Sequence, residues 1–342
     1  MSKKMTYTLS DKTVSYYFNA SFVQVVELTN RDKCVVITDS NVFKRHKKKF
    51  DGFKTIVIPA GEQHKTQDTV DNIIQRLIAF GADRQFFLLG VGGGVVTDIT
   101  GYVAAIYMRG LSFGFVPTTI LAQVDAAIGG KNGIDVGIYK NLVGTIRQPD
   151  FILFDYSYLD SLPEQQWING FAEIIKHACI KDPELFALLE KYDLSAFRYD
   201  EQLLAPLITT NVMIKSDIVQ LDEFEHGDRM LLNFGHTLGH AIENKYQLLH
   251  GHAISKGIVV AVEISEKLNH LSTTDKDRVI NLLRRYRLPV TIDFDRQKAF
   301  EVIQMDKKRV SHKINFVLLN TIGQAVVKSI PLYELEQIIQ DL

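Results

Sequence analysis

The sequence predicts an α/β domain with a mostly parallel, Rossmann-like sheet, followed by a mainly α-helical domain. Three observations carry this. Short β-branched or aromatic runs alternate with helical patterns through the first half, an apolar strand runs into a glycine turn at Leu88 to Asp98, and long helical patterns replace the strands after Leu162-Pro163. The boundary placed there gives domains 1–162 and 163–342.

In order along the first domain, the expected strands are Lys33 to Thr38, Phe53 to Ile58, Gln85 to Gly90, Ser112 to Val116 and Phe151 to Asp155. Between them, Thr66 to Phe80 repeats apolar residues at helical spacing (Val70, Ile73, Ile74, Leu77, Ile78), and Gly81 closes the helix. In the second domain helices are expected over Glu164 to Ile180, Pro183 to Lys191, Asp200 to Leu221, Gly235 to Lys245, Ile254 to Leu268, Lys276 to Tyr286 and Leu332 to Leu342. A hairpin, Lys313 to Leu319 with Gln324 to Lys328, interrupts them.

Bulk properties exclude several function classes. The 342 residues, 46% hydrophobic and 23% charged, suit a two-domain soluble protein. Lysine plus arginine (39) balance aspartate plus glutamate (40), so no global field points to nucleic acid or a membrane surface. The basic run Lys44 to Lys49 has no interleaved aromatic residue and reads as a solvated helix face. With no apolar leader and no membrane-length apolar run, a cytoplasmic protein with a small-molecule partner is expected. Cys34 and Cys179, far apart in sequence, suit buried thiols in a reducing compartment.

One stretch reads as a site: Asn233 to Glu243 holds two glycines, two histidines, an amide and a carboxylate at helical spacing. His236 and His240, four apart, share a helix face. Gly235 and Gly239 would let another backbone or a ligand approach, at a cost of about 1 kcal/mol each against alanine.

A second candidate is the glycine turn, Gly90-Val91-Gly92-Gly93-Gly94, which opens a helix. Its backbone amides and the helix N-terminus can seat a pyrophosphate, although the spacing departs from G-x-G-x-x-G. Asp39 and Pro117-Thr118-Thr119 follow other strands and converge there, since ligands in open parallel sheets gather at the carboxyl ends.

Polar clusters surround these two stretches. Asp125 and Lys131 flank Gly129-Gly130, Lys140-Asn141 follows, and Glu173 and Lys176 lie three apart on one helix face. Lys215, Glu225 and Arg229 lead into the histidine stretch, and Leu249-His250-Gly251-His252 follows it. A carboxylate and two histidines form a three-ligand set that leaves a metal position open, as in a catalytic zinc site. The residues alone allow Glu173 with any two of His236, His240, His250 and His252, and the pair His236/His240 is the simplest choice.

Several blocks carry a family resemblance. Gly92-Gly93-Gly94-Val95-Val96-Thr97-Asp98, Tyr107-Met108-Arg109-Gly110, Val116 to Asp125, Gly129-Gly130-Lys131, Lys140-Asn141, Ala172 to Lys176, Asn233 to His240 and Leu249-His250-Gly251 resemble the 3-dehydroquinate synthase family of sugar phosphate cyclases. The similarity runs in the family's order from about Asp39 to Lys308.

The resemblance implies an NAD-binding α/β domain, a helical metal- and substrate-binding domain, an active site in the cleft between them, and a homodimer. It implies Zn2+ or Co2+ held by Glu173, His236 and His250, which sets His240 aside for the substrate phosphate. Asp39, Glu62, Lys65, Gly93, Gly94, Asp98, Thr118 and Thr119 match NAD contacts, as do Lys131, Lys140 and Ser161. Threonine is usual in the family where Ser161 stands.

Lys131, Asn141, Asn233 and His240 match phosphate-end residues, joined by Lys307 or Lys308, and Arg109 matches one that reaches the neighbouring subunit's phosphate. Lys215 and Arg229 match the pair that binds the substrate carboxylate. Asp125, Lys176 and Glu225 match further polar positions, and His252 stands where the family often has glutamate. The implied substrate is a phosphorylated sugar acid, 3-deoxy-D-arabino-heptulosonate 7-phosphate. The implied reaction is oxidation by NAD, β-elimination of phosphate, reduction and intramolecular aldol closure. Alternatives are another cyclase, such as a 2-deoxy-scyllo-inosose synthase or a sedoheptulose 7-phosphate cyclase, and a polyol dehydrogenase of the glycerol dehydrogenase type. None of these substrates needs the carboxylate pair.

Overall fold

The apolar runs Cys34 to Ile37 and Leu88 to Val91 are buried along their length, as interior strands of a helix-covered parallel sheet must be. The structure is a computed structural model, and it describes residues 3–10, 12–137, 139–304, 309–310 and 312–341. The sheet has seven strands: β1 (Lys3–Thr8), β2 (Thr13–Phe18), β3 (Cys34–Asp39), β4 (Lys54–Ile58), β5 (Phe87–Gly92), β6 (Ser112–Pro117) and, beyond a separate antiparallel ribbon of β7 (Lys131–Val136) and β8 (Tyr139–Ile146), β9 (Phe151–Leu153). Their order is β1-β2-β9-β6-β5-β3-β4, and only the β1–β2 pair is antiparallel. The mostly parallel sheet agrees with the fold class expected from the sequence.

Register then decides what meets at the carboxyl edge. Thr38 of β3 pairs with Val91 of β5, and Gly92 of β5 pairs with Pro117 of β6. Asp39, the glycine turn and Thr118-Thr119 therefore leave neighbouring strands at one level. The β1–β2 hairpin and the β7–β8 ribbon are absent from the sequence expectation. β8 is exposed along most of its length, so it has no alternation of burial to betray it.

The chain divides into two compact units, Met1–Gln166 and Trp167–Leu342. The division falls inside the helix Glu164–Lys181, just after Leu162-Pro163 where the sequence pattern changes. The second unit continues with helices Pro183–Lys191, Leu194–Tyr199, Glu201–Leu221, His236–Tyr246, His250–Asn269, Thr273–Arg285, Arg296–Gln304 and Leu332–Gln340. Strands β10 (Arg309–Val310), β11 (Lys313–Thr321) and β12 (Gln324–Pro331) form its small antiparallel sheet.

Two placements bear on the site. Asn233 ends a 3-10 turn, Asp228–Asn233, and the His236 helix begins one residue after the expected Gly235. His250 is the first residue of its helix, which starts four residues before the expected Ile254.

The glycines around His236 also serve another purpose than clearing space for a ligand. Gly235 adopts φ 77°, and a Cβ there would lie 2.6 Å from Ile258 Cγ1. One on Gly239 would lie 2.8 Å from Ile254 Cδ1, and one on Gly257 would run into the Gly235 carbonyl oxygen. These glycines let the His236 and His250 helices cross backbone to backbone. Gly257→Ala should therefore cost about 1–3 kcal/mol or more, the range for overpacking a tight core. A urea midpoint equal to that of the parent protein would show that the crossing tolerates the methyl group.

Candidate functional site

In the second unit, the Glu164–Lys181 helix buries Glu173 completely, at 0% exposure. A carboxylate there needs compensating charge. Lys176, one turn on and 1% exposed, forms an ion pair with Glu173 Oε2. The other oxygen, Oε1, meets His250 Nε2 at 3.1 Å and His236 Nε2 at 3.5 Å. Lys176 thus holds one oxygen while the two imidazoles converge on its twin.

The outer nitrogens of both rings are also engaged. His236 Nδ1 lies 3.1 Å from the Phe234 carbonyl oxygen, so it donates there and turns the Nε2 lone pair inward. His250 Nδ1 lies 3.3 Å from Glu243 Oε2. Burial pushes His236 down to about 3 despite Glu173, which keeps it neutral. Burial also lowers His250, but Glu173 and Glu243 outweigh it and hold the ring up at about 10, so a cation arriving at Nε2 displaces a proton.

Glu173, His236 and His250 form a group that could hold a metal, with one ligand atom from each, all within 4.8 Å of one another. Two imidazole nitrogens and one carboxylate oxygen suit a zinc- or cobalt-type ion with a further position open. His240, Glu243 and His250 form another such group, but His240 is exposed. Among the described residues, His252 joins no such group.

Gly251 sets where His250 begins. Its amide donates to Asn169 Oδ1 at 2.6 Å, and a Cβ there would run into the Asn169 carbonyl. The start of the His250 helix is thereby pinned one turn before Glu173 on the neighbouring helix.

Lys215, on the helix Glu201–Leu221, is 8% exposed, and Arg229 is 1% exposed, with Nη1 donating to the Glu223 carbonyl oxygen. The loop that carries Arg229 is ordered by Asp222, which sequence patterns gave no reason to select. Its carboxylate accepts from the amides of His226 (2.9 Å), Gly227 (2.7 Å) and Arg229 (3.0 Å). In the same loop Glu225 sits at φ 64° and accepts from Asn233 Nδ2 at 2.8 Å, which joins two of the expected site residues. Lys307 and Lys308 lie outside the described residues.

In the first unit, the helix Gly94–Ile106 starts with no side-chain cap, so its first amides face the glycine turn unclaimed by a cap. Thr118 donates its amide to the Gly92 carbonyl at 2.9 Å, yet its buried hydroxyl has no hydrogen-bond partner among the described residues. A buried hydroxyl without a partner is costly, and a ligand hydroxyl or phosphate oxygen there would remove that cost. Thr119 accepts from the amide of Ala122 at 3.1 Å, and its methyl group lies 3.1 Å from where a Cβ on Gly93 would stand. Asp39 caps its helix through Oδ1, accepting from Asn41 (2.8 Å) and Val42 (3.0 Å). These features fit a dinucleotide.

Nearby, Lys65 bonds Asp98 and Asn141, and Lys140 lies 3.6 Å from Glu62. Burial pushes the Lys65 ammonium down, but Asp98 and Glu62 outweigh it and hold it up at about 12. Asp135, another residue that sequence patterns leave unmarked, ties this group together. Its amide donates to the Lys65 carbonyl (2.8 Å) and its carboxylate accepts from the Asn141 amide (2.8 Å). Residues expected at the cofactor and at the phosphate thus share one network.

Asp125 lies in a π-turn, Ala122–Ala126, a conformation frequent at functional sites. Lys131 is exposed on β7, and Ser161 Oγ lies 2.9 Å from His46 Nε2. Arg109 is exposed in a run of three left-handed residues, Met108 (φ 51°), Arg109 (φ 65°) and Gly110 (φ 123°).

The Asp222 loop gives a pH-dependent expectation. Burial raises the carboxyl, but the three amides together outweigh it and hold it below its usual value of 3.8. A depressed carboxylate contributes stability above that value and loses it as pH falls through the lower folded value. Asp222→Asn should cost about 1–2 kcal/mol at pH 7, and the deficit should shrink below pH 4 in urea titrations. A deficit that is the same at pH 3 and pH 7 would assign it to something other than the charge.

Known proteins place these features in a lineage. The 3-dehydroquinate synthase N-terminal family model matches residues 55–169, and the C-terminal model matches residues 170–309. A 3-dehydroquinate synthase of Thermodesulfovibrio yellowstonii is 41% identical over 80% of this chain and 78% of its own. Among solved structures, 2-epi-5-epi-valiolone synthase from Streptomyces hygroscopicus subsp. jinggangensis, with NAD+ and Zn2+ bound, superposes with a TM-score of 0.89 at 26% identity over 98% of this chain and 97% of that one. A 2-deoxy-scyllo-inosose synthase complexed with carbaglucose-6-phosphate, NAD+ and Co2+ gives 0.87 at 25% identity over 99% of this chain and 100% of that one. Matched along both units by family models and by a relative of that identity, the chain belongs to the 3-dehydroquinate synthase family.

Proposed function

We propose that the protein is a 3-dehydroquinate synthase that converts 3-deoxy-D-arabino-heptulosonate 7-phosphate into 3-dehydroquinate and phosphate, a lyase step of the shikimate pathway. Family membership supports the reaction class. The observation that carries the chemistry is the convergence of His236 Nε2 and His250 Nε2 on Glu173 Oε1. Glu173, His236 and His250 would hold Zn2+ or Co2+. When bound, the ion would supply Lewis-acid stabilisation of a developing alkoxide, and NAD a hydride acceptor regenerated within each cycle.

This chain's own residues would bind and orient the substrate. Lys215 and Arg229, both buried cations, suit the carboxylate end, where guanidinium and carboxylate pair in a fixed fork. Lys131, Asn141, Asn233 and His240 suit the phosphate end, with Lys308 in the same role. Arg109 would reach the phosphate of a neighbouring subunit in a homodimer. Asp125, Lys176 and Glu225 would complete the polar lining, and Lys176 also holds Glu173 in its ligating orientation.

In the first domain, residues 1–162, Asp39, Glu62, Lys65, Gly93, Gly94, Asp98, Thr118, Thr119, Lys140 and Ser161 would seat NAD. The second, residues 163–342, would hold the metal and most of the substrate. No helix among the described residues is long and apolar enough to cross a membrane, and a cytoplasmic location is proposed.

Incubation with the heptulosonate phosphate, NAD and Zn2+ or Co2+ should release phosphate and dehydroquinate without net NADH. Net NADH from a polyol, or turnover of glucose 6-phosphate or sedoheptulose 7-phosphate in its place, would overturn the assignment. For the ligand set, His250→Ala should lose the metal, whereas His240→Ala should keep it and raise KM for the phosphorylated substrate. The reverse pattern would exchange their roles.

A further inference from the structure

Glu243 is a buried carboxylate, 3% exposed, that the proposed reaction does not use. It lies on the His236 helix seven residues after His236 and three after His240, so all three share one face. Its Oε2 stands 3.3 Å from His250 Nδ1, while His250 Nε2 points at Glu173 Oε1. The same imidazole is therefore bracketed by two carboxylates from two different helices.

We propose that Glu243 is the positioning residue for His250, accepting from Nδ1–H and so fixing the tautomer and the ring plane that present Nε2 to a metal. This rests on the ligand set proposed above. Three features of the geometry support it. His250 is the first residue of its helix with its side chain 27% exposed, so the surrounding packing leaves the ring less confined than that of His236, whose side chain is 11% exposed. His236 has its own Nδ1 acceptor, the Phe234 carbonyl, and Glu243 supplies the matching one for His250. The tether is short, because the Leu248 amide donates to the Glu243 carbonyl at 3.1 Å and turns the chain back toward His250. A carboxylate on Nδ1–H raises the donor strength of Nε2 beyond what a carbonyl does, and such partners change metal affinity by roughly 10–100-fold.

The test measures zinc affinity of the full-length protein by competition with a chromophoric chelator. It is paired with the visible spectrum of the Co2+-loaded protein and the melting temperature of the metal-free protein. Glu243→Ala should weaken zinc by roughly 10–100-fold, and Glu243→Gln by less, because the amide oxygen still accepts from Nδ1–H without the charge. The Co2+ bands should keep their positions, since the inner ligands are unchanged. If Glu243→Ala does not fold, Glu243→Gln alone decides. Zinc affinity within twofold of the parent in the variants that fold would overturn the proposal. So would Co2+ bands that shift in position in Glu243→Gln, which would make Glu243 a ligand. A parent protein that takes no zinc overturns the ligand set as well, which separates that failure from this one.

Discussion

The second unit depends on one costly group, the fully buried carboxylate of Glu173. Removing such a charge from water costs several kcal/mol even after the protein relaxes, and only good geometry with opposite charge recovers it. Lys176 answers one oxygen from the same helix, where a spacing of three residues suffices. The other oxygen is answered from outside that helix by the protonated His250 ring, while the neutral His236 ring, on a third helix, turns its Nε2 to the same atom. The packing of three helices is therefore tied to one oxygen atom.

That demand explains the glycines. For the His236 and His250 rings to lie with centroids 5.7 Å apart, their helices must come closer than side chains normally allow. Gly235, Gly239 and Gly257 remove the side chains at the crossing, and Gly251 does the same where the His250 helix meets Asn169. Each glycine costs backbone entropy, and the closeness of Glu173, His236 and His250 is what the cost achieves.

Much of the fold was legible in the sequence because burial on both faces leaves a strong mark. Cys34 to Ile37 and Leu88 to Val91 can hardly be anything but interior strands, and the glycine turn after Val91 marks the carboxyl edge. β7 and β8 were not legible, because β8 is mostly exposed and is held by pairing with its partner strand. The site divides along the same line. Residues that repeat a spacing, such as Glu173 with Lys176, announce themselves. Asp222 and Asp135 act through backbone amides brought together by a loop, and no periodicity records that.

The histidine pair shows where periodicity runs out. His236 and His240 share a helix face, and their rings do meet, at 5.1 Å between centroids. A shared face, however, says nothing about what each ring faces across the gap, and a ligand histidine needs both nitrogens assigned. His236 is buried, with Nδ1 on a backbone carbonyl and Nε2 on Glu173, whereas His240 is exposed. His250 lies fourteen residues after His236, a separation with no helical meaning because a turn intervenes, yet it matches His236 in facing Glu173 and having an acceptor at Nδ1. The distinction between the three rings is thus made by their hydrogen-bond partners, Phe234 and Glu243. Glu243 lay in the sequence stretch that drew attention, but its partner arrives only when the chain turns back at Leu248.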